Sequence, residues 1–282
     1  MILKSAYFYT ERQITASELS VKAPINNANF GNTAEDYLTH RAGFPASLFK
    51  RLIARGIGSG GQQMVDLGTG TGTLARRFTQ HGNHVIGLDP AAPMLEAAAK
   101  LDKKAAVSVE YRVGTAENTQ LPDAFADVVL AGQCWHWFDA DRACMEIARI
   151  LKTDGTLVVA YYDWLPLPGN LVRKTESLIE QYNPAWRGGN GSGIHPGVFK
   201  DLGAADFQDI QSFTYDEAAD YTHEGWRGRI RASAGCSATL PADQVSEFDD
   251  DLDRMLKKDH PDEPLSIPHR VFAAWAKHPA SD

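Results

Sequence analysis

A run of nine residues, Met64, Val65, Asp66, Leu67, Gly68, Thr69, Gly70, Thr71 and Gly72, constrains this chain more than any other stretch. Apolar residues lead into an acid, and alternating glycines follow. The pattern predicts a short buried strand, a tight glycine turn, and a helix over residues 73–81 stopped by Gly82. Glycine permits the turn and leaves the backbone bare, so a ligand can approach without meeting a Cβ. Strand, glycine loop and helix start in this order make a cradle for a nucleotide-type cofactor; the competing reading is a purely structural strand-to-helix turn. The dinucleotide fingerprint G-x-G-x-x-G/A fits Gly70, Gly72 and Ala75, but fails when started at Gly68, where Thr73 takes the third place. The loop alone therefore leaves an NAD(P) oxidoreductase open.

A second acid stands where a nucleoside needs one. Val85, Ile86 and Leu88 form an apolar strand ended by Asp89, nineteen positions after Gly70. A carboxylate there accepts from both hydroxyls of a ribose; the other reading is an N-cap for the helix AAPMLEAAAKL. Further strands are predicted over residues 109–113, 125–130, 156–162 and 265–277, with LKTDG a turn before the third of these. Helices are predicted over residues 32–39, 45–55, 141–151, 171–182, 221–234 and 241–258, the last acidic on its outer face. Beyond the strand 125–130 come Gln133, Cys134, Trp135, His136, Trp137, Phe138 and Asp139. Open α/β sheets hold their sites past the carboxyl ends of strands, so His136 is a candidate general base. The blander reading, a histidine that hydrogen-bonds a loop, is favoured. Trp135 and Trp137 share a side in extended backbone and either wall a pocket or belong to the core.

Composition narrows the function class. The net charge of −8 over 282 residues speaks against partners bound through phosphates, so neither nucleic acid nor an anionic membrane is expected. Three cysteines, an odd number with no C-x-x-C pair, argue against a disulfide framework or a zinc site and for a reducing cytoplasm. MILKSAYFYTERQ lacks the apolar core of a signal peptide, and no run approaches the ~20 apolar residues of a membrane span.

Several motifs then point to one family. Asp66 followed by Gly68, Gly70 and Gly72 resembles the first motif of class I S-adenosylmethionine (SAM) methyltransferases, whose loop backbone lies under the cofactor's methionine and ribose portions. The block G-x-A-E-x-x-x-L-P … F-A-D-V-V, from Gly114 to Val129, resembles the second part of that pattern, where Ala116 and Glu117 lie against the adenine. HWFD resembles a subset including trans-aconitate methyltransferase-like and ubiquinone-pathway-like enzymes. R-I-L-K-x-x-G-x-L resembles the third motif, whose role is structural, and HPGVFKDLGAADFQDI resembles the family's last helix and sixth strand. NFGNTAEDYLTHRAGFPASLFKRL resembles the segment ahead of the glycine loop. There Tyr37 and Arg41 share a helix face, and the resemblance has the arginine reach the SAM carboxylate with two parallel hydrogen bonds; a solvated surface arginine is the alternative.

The resemblance implies an α/β fold, a doubly wound Rossmann-like sheet of seven strands with the last antiparallel. It further implies one domain over residues 1–282, with a cofactor-binding core at about 30–162. Helical cap insertions are expected at about 1–30, 163–195 and 218–262, where Trp164, Trp186, Trp226 and Arg227 either build a substrate pocket or hold the cap together. Tyr7, Phe8 and Tyr9 either pack on the domain edge or fold over the site. The implied cofactor is SAM, with S-adenosylhomocysteine as product. Its expected contacts are Tyr37, Arg41, Asp66, Gly68, Thr69, Gly70, Gly72, Asp89, Pro90, Met94, Thr115, Ala116, Glu117, Gln133 and Trp135. The implied reaction is in-line methyl transfer to a small-molecule acceptor, at nitrogen, oxygen or carboxylate, with His136 and Tyr9 as catalytic candidates and no metal. An NAD(P)-dependent oxidoreductase and a non-catalytic SAM-binding module remain the alternatives.

Overall fold

Seven strands form one sheet in the order β3-β2-β1-β4-β5-β7-β6. A computed structural model describes residues 43–233, 235–237 and 239–278; Tyr9, Tyr37, Arg41, the helix expected over 32–39 and the cap expected over 1–30 lie outside them. In chain order the elements are α1 (Ala46–Ile53), β1 (Gln63–Leu67), α2 (Thr73–Gln80), β2 (His84–Asp89), α3 (Ala92–Ala105), β3 (Glu110–Val113), β4 (Ala126–Gly132), α4 (Ala140–Ile150) and β5 (Leu151–Trp164). Then follow α5 (Leu171–Tyr182), α6 (Pro196–Ala204), β6 (Gln208–Tyr221), α7 (His223–Arg231), α8 (Ala242–Asp259) and β7 (Leu265–Lys277). Strands β1 to β5 pair in parallel, and β7 runs antiparallel to both β5 and β6. The expected doubly wound sheet with an antiparallel last strand is therefore present.

Side-chain alternation along each strand divides the core. On one face Val65, Leu67, Val129, Val159 and Tyr161 pack with Ile147 of α4 and Leu202 of α6. On the other, Met64, Val128, Leu130, Val158 and Tyr162 pack with Leu48 of α1 and Phe78 of α2. A third cluster, around fully buried Trp226 and Phe248, joins α5, α7 and α8 to the ends of β6 and β7.

Local structure departs from expectation at several points. Tyr221 is the last residue of β6, so the helix predicted from 221 starts at His223, where Thr222 accepts from the Gly225 N–H as N-cap. Strand β5 begins at Leu151 rather than at residue 156; its register against β4 jumps from Leu151 to Thr156, so the expected turn survives as an excursion within the strand. Asp249 and Asp253 of α8 face the arginines of α7 rather than solvent. Trp135 and Trp137 do not share a side. A 3-10 turn, closed by Trp137 N–H to the Cys134 carbonyl at 2.8 Å, buries Trp135 at 4% exposure and leaves Trp137 at 40%. Among the described residues no helix is long and apolar enough to cross a membrane.

Candidate cofactor and active site

The sheet order reverses between β1 and β4, and at such a switch point the connections leave in opposite directions and open a crevice at the strands' carboxyl ends. The residues there are those of the glycine loop after β1 and of Gly132 and Gln133 ending β4. Together with Phe44, Asp66, Thr73 and Leu74 they line a cleft open to solvent.

The loop is shaped by backbone that only glycine adopts at low cost. Gly68, Gly70 and Gly72 have φ of 59°, 54° and 74°. A Cβ on Gly68 would lie 2.9 Å from the Cys134 Cβ, and one on Gly72 would lie 2.1 Å from the Tyr111 hydroxyl. Two bonds pin the loop to β2: Thr69 N–H to the Leu88 carbonyl at 2.9 Å, and Gly70 N–H to Asp89 Oδ2 at 2.9 Å. The two strand-end acids are thereby brought to one loop, although 23 positions separate them in the chain.

Their roles differ. Asp66 is buried at 2% exposure, and its Oδ2 accepts from the Thr69 hydroxyl at 2.6 Å and from the Ala75 N–H at 3.2 Å. Burial pushes its carboxyl up to about 7, against those two hydrogen bonds and with a smaller push from the Asp89 charge. It thus satisfies one of the orphan N–H groups of the first turn of α2. Asp89 lies at the edge; its Oδ1 accepts from the Ala91 N–H at 2.9 Å. Burial raises its carboxyl too, while the Ala91 and Gly70 N–H groups hold it down. It does not cap α3, whose N-cap is Ala91 with no side-chain bond. Each Asp89 oxygen has used one acceptor position and keeps another.

Of the expected cofactor contacts, Asp66, Gly68, Thr69, Gly70 and Gln133 line the cleft. Gln133 takes the left-handed φ of 59°, donates its backbone N–H to the Ala160 carbonyl at 2.8 Å, and donates from Nε2 to the Tyr162 carbonyl at 2.6 Å. Pro90 is exposed beside Asp89, and Met94 is buried in α3. Thr115 is exposed, while Ala116 is buried with Leu67 and Leu88. Glu117 accepts from the Asp139 N–H at 3.0 Å. Trp135 does not line the cleft: its indole donates to Asp201 of α6 at 2.9 Å and it packs in the core.

A second polar group continues from the cleft along the carboxyl ends of β4 and β5. Exposed His136 places Nδ1 3.3 Å from the Tyr161 hydroxyl, and burial raises that phenol. Tyr161 stacks on His195 with centroids 3.6 Å apart, and His195 Nε2 meets Asp163 Oδ2 at 2.7 Å. Tyr161, Asp163 and His195 were not singled out from sequence, nor were Phe44 and Leu74. Asp163, directly after an apolar strand, carried a readable signal; His195, 32 positions further on and just ahead of α6, carried none. Among the described residues no group of three His, Cys, Asp or Glu side chains is placed to hold a metal ion.

A methyltransferase-domain family profile matches residues 65–159, from β1 through the heart of β5, and so takes in the glycine loop and both acids. That stretch of the chain belongs to the methyltransferase-domain family. Similar proteins agree with that placement. The uncharacterized methyltransferase Rv3342 of Mycobacterium tuberculosis is 35% identical over 130 residues, 46% of this chain and 50% of the relative. The uncharacterized methyltransferase C25B8.09 of Schizosaccharomyces pombe is 27% identical over 237 residues, 81% of this chain and 87% of the relative. The solved structure of Haemonchus contortus phosphoethanolamine N-methyltransferase 2 in complex with SAM shares this chain's fold. Its TM-score is 0.53 at 19% identity, over 91% of this chain and 59% of that one. The chain spans about half the length of the mycobacterial relatives it matches.

Proposed function

We propose that this methyltransferase binds SAM in the cleft over residues 68–72 and transfers its methyl group to a small-molecule acceptor. The observation that carries the reading is the bond from Gly70 N–H to Asp89 Oδ2, which sets a bare loop backbone and a ribose-type acid side by side. The residues fit the cofactor. The cleft floor is main chain, and the spare acceptor positions of Asp89 match a pair of ribose hydroxyls. Pro90, Met94 and the Thr115, Ala116 and Glu117 segment flank the side on which an adenine would continue. When bound, SAM supplies a methyl carbon carried on positively charged sulfur. The protein's part is positioning and exclusion of water: the loop and Gln133 fix the cofactor side, and α5, α7 and α8 cap the acceptor side. A carboxylate or neutral amine acceptor needs no base; for a hydroxyl or carbon acceptor, His136 at the end of β4 is the group to take the proton. The buried free cysteines Cys134, Cys144 and Cys236 suit a reducing compartment such as the cytoplasm.

An NAD(P) oxidoreductase is the weaker reading. A pyrophosphate needs the free N–H groups of a helix N-terminus, and the Asp66 carboxyl already accepts from Ala75 there. Thermal melts with SAM, S-adenosylhomocysteine and NAD(P)H distinguish the two. At ~100-fold above the dissociation constant the adenosyl ligands should stabilise the fold by ~2.7 kcal/mol, and NAD(P)H should not. Stabilisation by NAD(P)H alone refutes the proposal, and SAM binding without turnover on any member of a metabolite panel favours a non-catalytic module.

A further inference from the structure

Helix α7 carries three arginines, and two of them are accounted for within the fold. Arg227 and Arg231, four apart, share a face turned to α8. Arg227 binds Asp249 and also Asp253, at 3.0 Å; Arg231 binds Asp249 and Glu224, each at 2.7 Å. Arg229 lies on the other side of the helix. It is half-buried, and its guanidinium sits 4.7 Å over the indole of Trp164, the last residue of β5. Among the described residues no carboxylate comes within ion-pair distance of it.

The groups around Arg229 do not neutralise it. Asp163 is near enough to be felt, but its Oδ2 is taken by His195 Nε2 at 2.7 Å. His269 is buried, its Nδ1 is 2.9 Å from the Ile267 carbonyl, and burial pushes it down to about 4, so it is uncharged at neutral pH. The Tyr221 hydroxyl is a neutral neighbour, and burial holds the guanidinium below the ordinary arginine range. Glu176, the buried acid on the other edge of Trp164, is turned to the Trp164 indole N–H and the Asn190 N–H, both at 2.9 Å. A cation withdrawn from water is costly without a counter-charge, and among the described residues none is in contact with it.

The location matters. Trp164 lies two residues, about 7 Å of strand, beyond Tyr162, whose carbonyl holds the cleft-lining side chain of Gln133. Arg229 therefore stands on the cap, over the carboxyl end of β5 and beyond the cleft. We propose that Arg229 is the specificity residue of the acceptor site and grips an oxyanion, carboxylate or phosphate, on the methyl acceptor. This rests on the methyltransferase reading above. The Trp164 ring covers one face of the guanidinium and orients it, leaving edge N–H groups to bind two oxygens in parallel.

The test uses the full chain saturated with S-adenosylhomocysteine, in a low-anion buffer, with sodium succinate, inorganic phosphate and ionic-strength-matched chloride as probes. Wild type is compared with Arg229→Met and Arg229→Lys by thermal melts and titration calorimetry. Succinate or phosphate, whichever carries the matching group, should raise the wild-type melting temperature above the chloride control. Affinity should fall at least tenfold in both variants, since lysine keeps the charge but loses the fork. S-adenosylhomocysteine affinity should be unchanged throughout. Without oxyanion, Arg229→Met should melt no lower than wild type, because methionine keeps the contact with Trp164 and removes an uncompensated charge. The proposal is overturned if neither oxyanion distinguishes wild type from the variants, or if Arg229→Met melts several degrees lower in anion-free buffer. Should Arg229→Met fail to fold, the same affinity criterion is read on Arg229→Lys. Failure of wild type to bind S-adenosylhomocysteine would instead strike the methyltransferase reading, not this one.

Discussion

Asp66 gives the sharpest test of how the cleft is built. Replacing it with asparagine keeps an acceptor for the Thr69 hydroxyl and the Ala75 N–H but removes the ionisable group. Burial raises its carboxyl from an ordinary 3.8 to about 7, so folding favours the neutral acid. The stability this contributes is fully present below about pH 4 and is lost as pH rises through 7. At 1.36 kcal/mol per unit, holding the ionised form inside costs about 4 kcal/mol by pH 8, of which about 2–3 kcal/mol accrues between pH 5 and pH 8. For a chain of this size that is about 5–10 °C of melting temperature. Melts of wild type and Asp66→Asn at matched ionic strength should therefore converge only below about pH 4, and the variant's advantage should widen by that amount between pH 5 and pH 8. The difference between the two proteins cancels the titrating groups that do not interact with Asp66; the contribution of Asp89, whose charge adds to the shift, remains in it. Parallel pH profiles would refute the argument and mean that water reaches Asp66 despite its burial.

Three further outcomes are expected. Asp89→Asn should weaken S-adenosylhomocysteine binding at least tenfold by calorimetry, about 1.4 kcal/mol or more, with an unchanged circular dichroism spectrum; unchanged affinity would remove Asp89 from the ribose role. Gly72→Ala combines a φ of 74° with a Cβ 2.1 Å from the Tyr111 hydroxyl, and should cost roughly 2 kcal/mol or more in urea unfolding, whereas a loss below half of that would mean the loop relaxes freely. Burial lowers His269 from 6.5 to about 4, so its neutral form is favoured by folding. Stability is lost as pH falls from 6.5 toward 4, by up to about 3 kcal/mol; His269→Gln should flatten the acid limb of the stability profile, and an unaltered limb would contradict the assignment.

From the sequence alone came the helix and strand frame of residues 43–162 and the two acids at strand ends, because those signals are local: apolar runs, glycine punctuation and an acid at fixed spacing. Within residues 43–162 the strands and helices fall where the pattern placed them, apart from the early start of β5. What periodicity misjudged was the backbone beyond β4, where a single 3-10 turn sends Trp135 into the core and Trp137 to solvent. Which polar groups meet was set by the packing of distant segments. The reversal of strand order brought Asp89 to Gly70, antiparallel β7 closed the sheet, and packing of α6 and α7 set His195 against Asp163 and Arg229 over Trp164. Such partners lie tens of residues apart, and a one-dimensional pattern carries no record of which face of one helix will lie against which strand end.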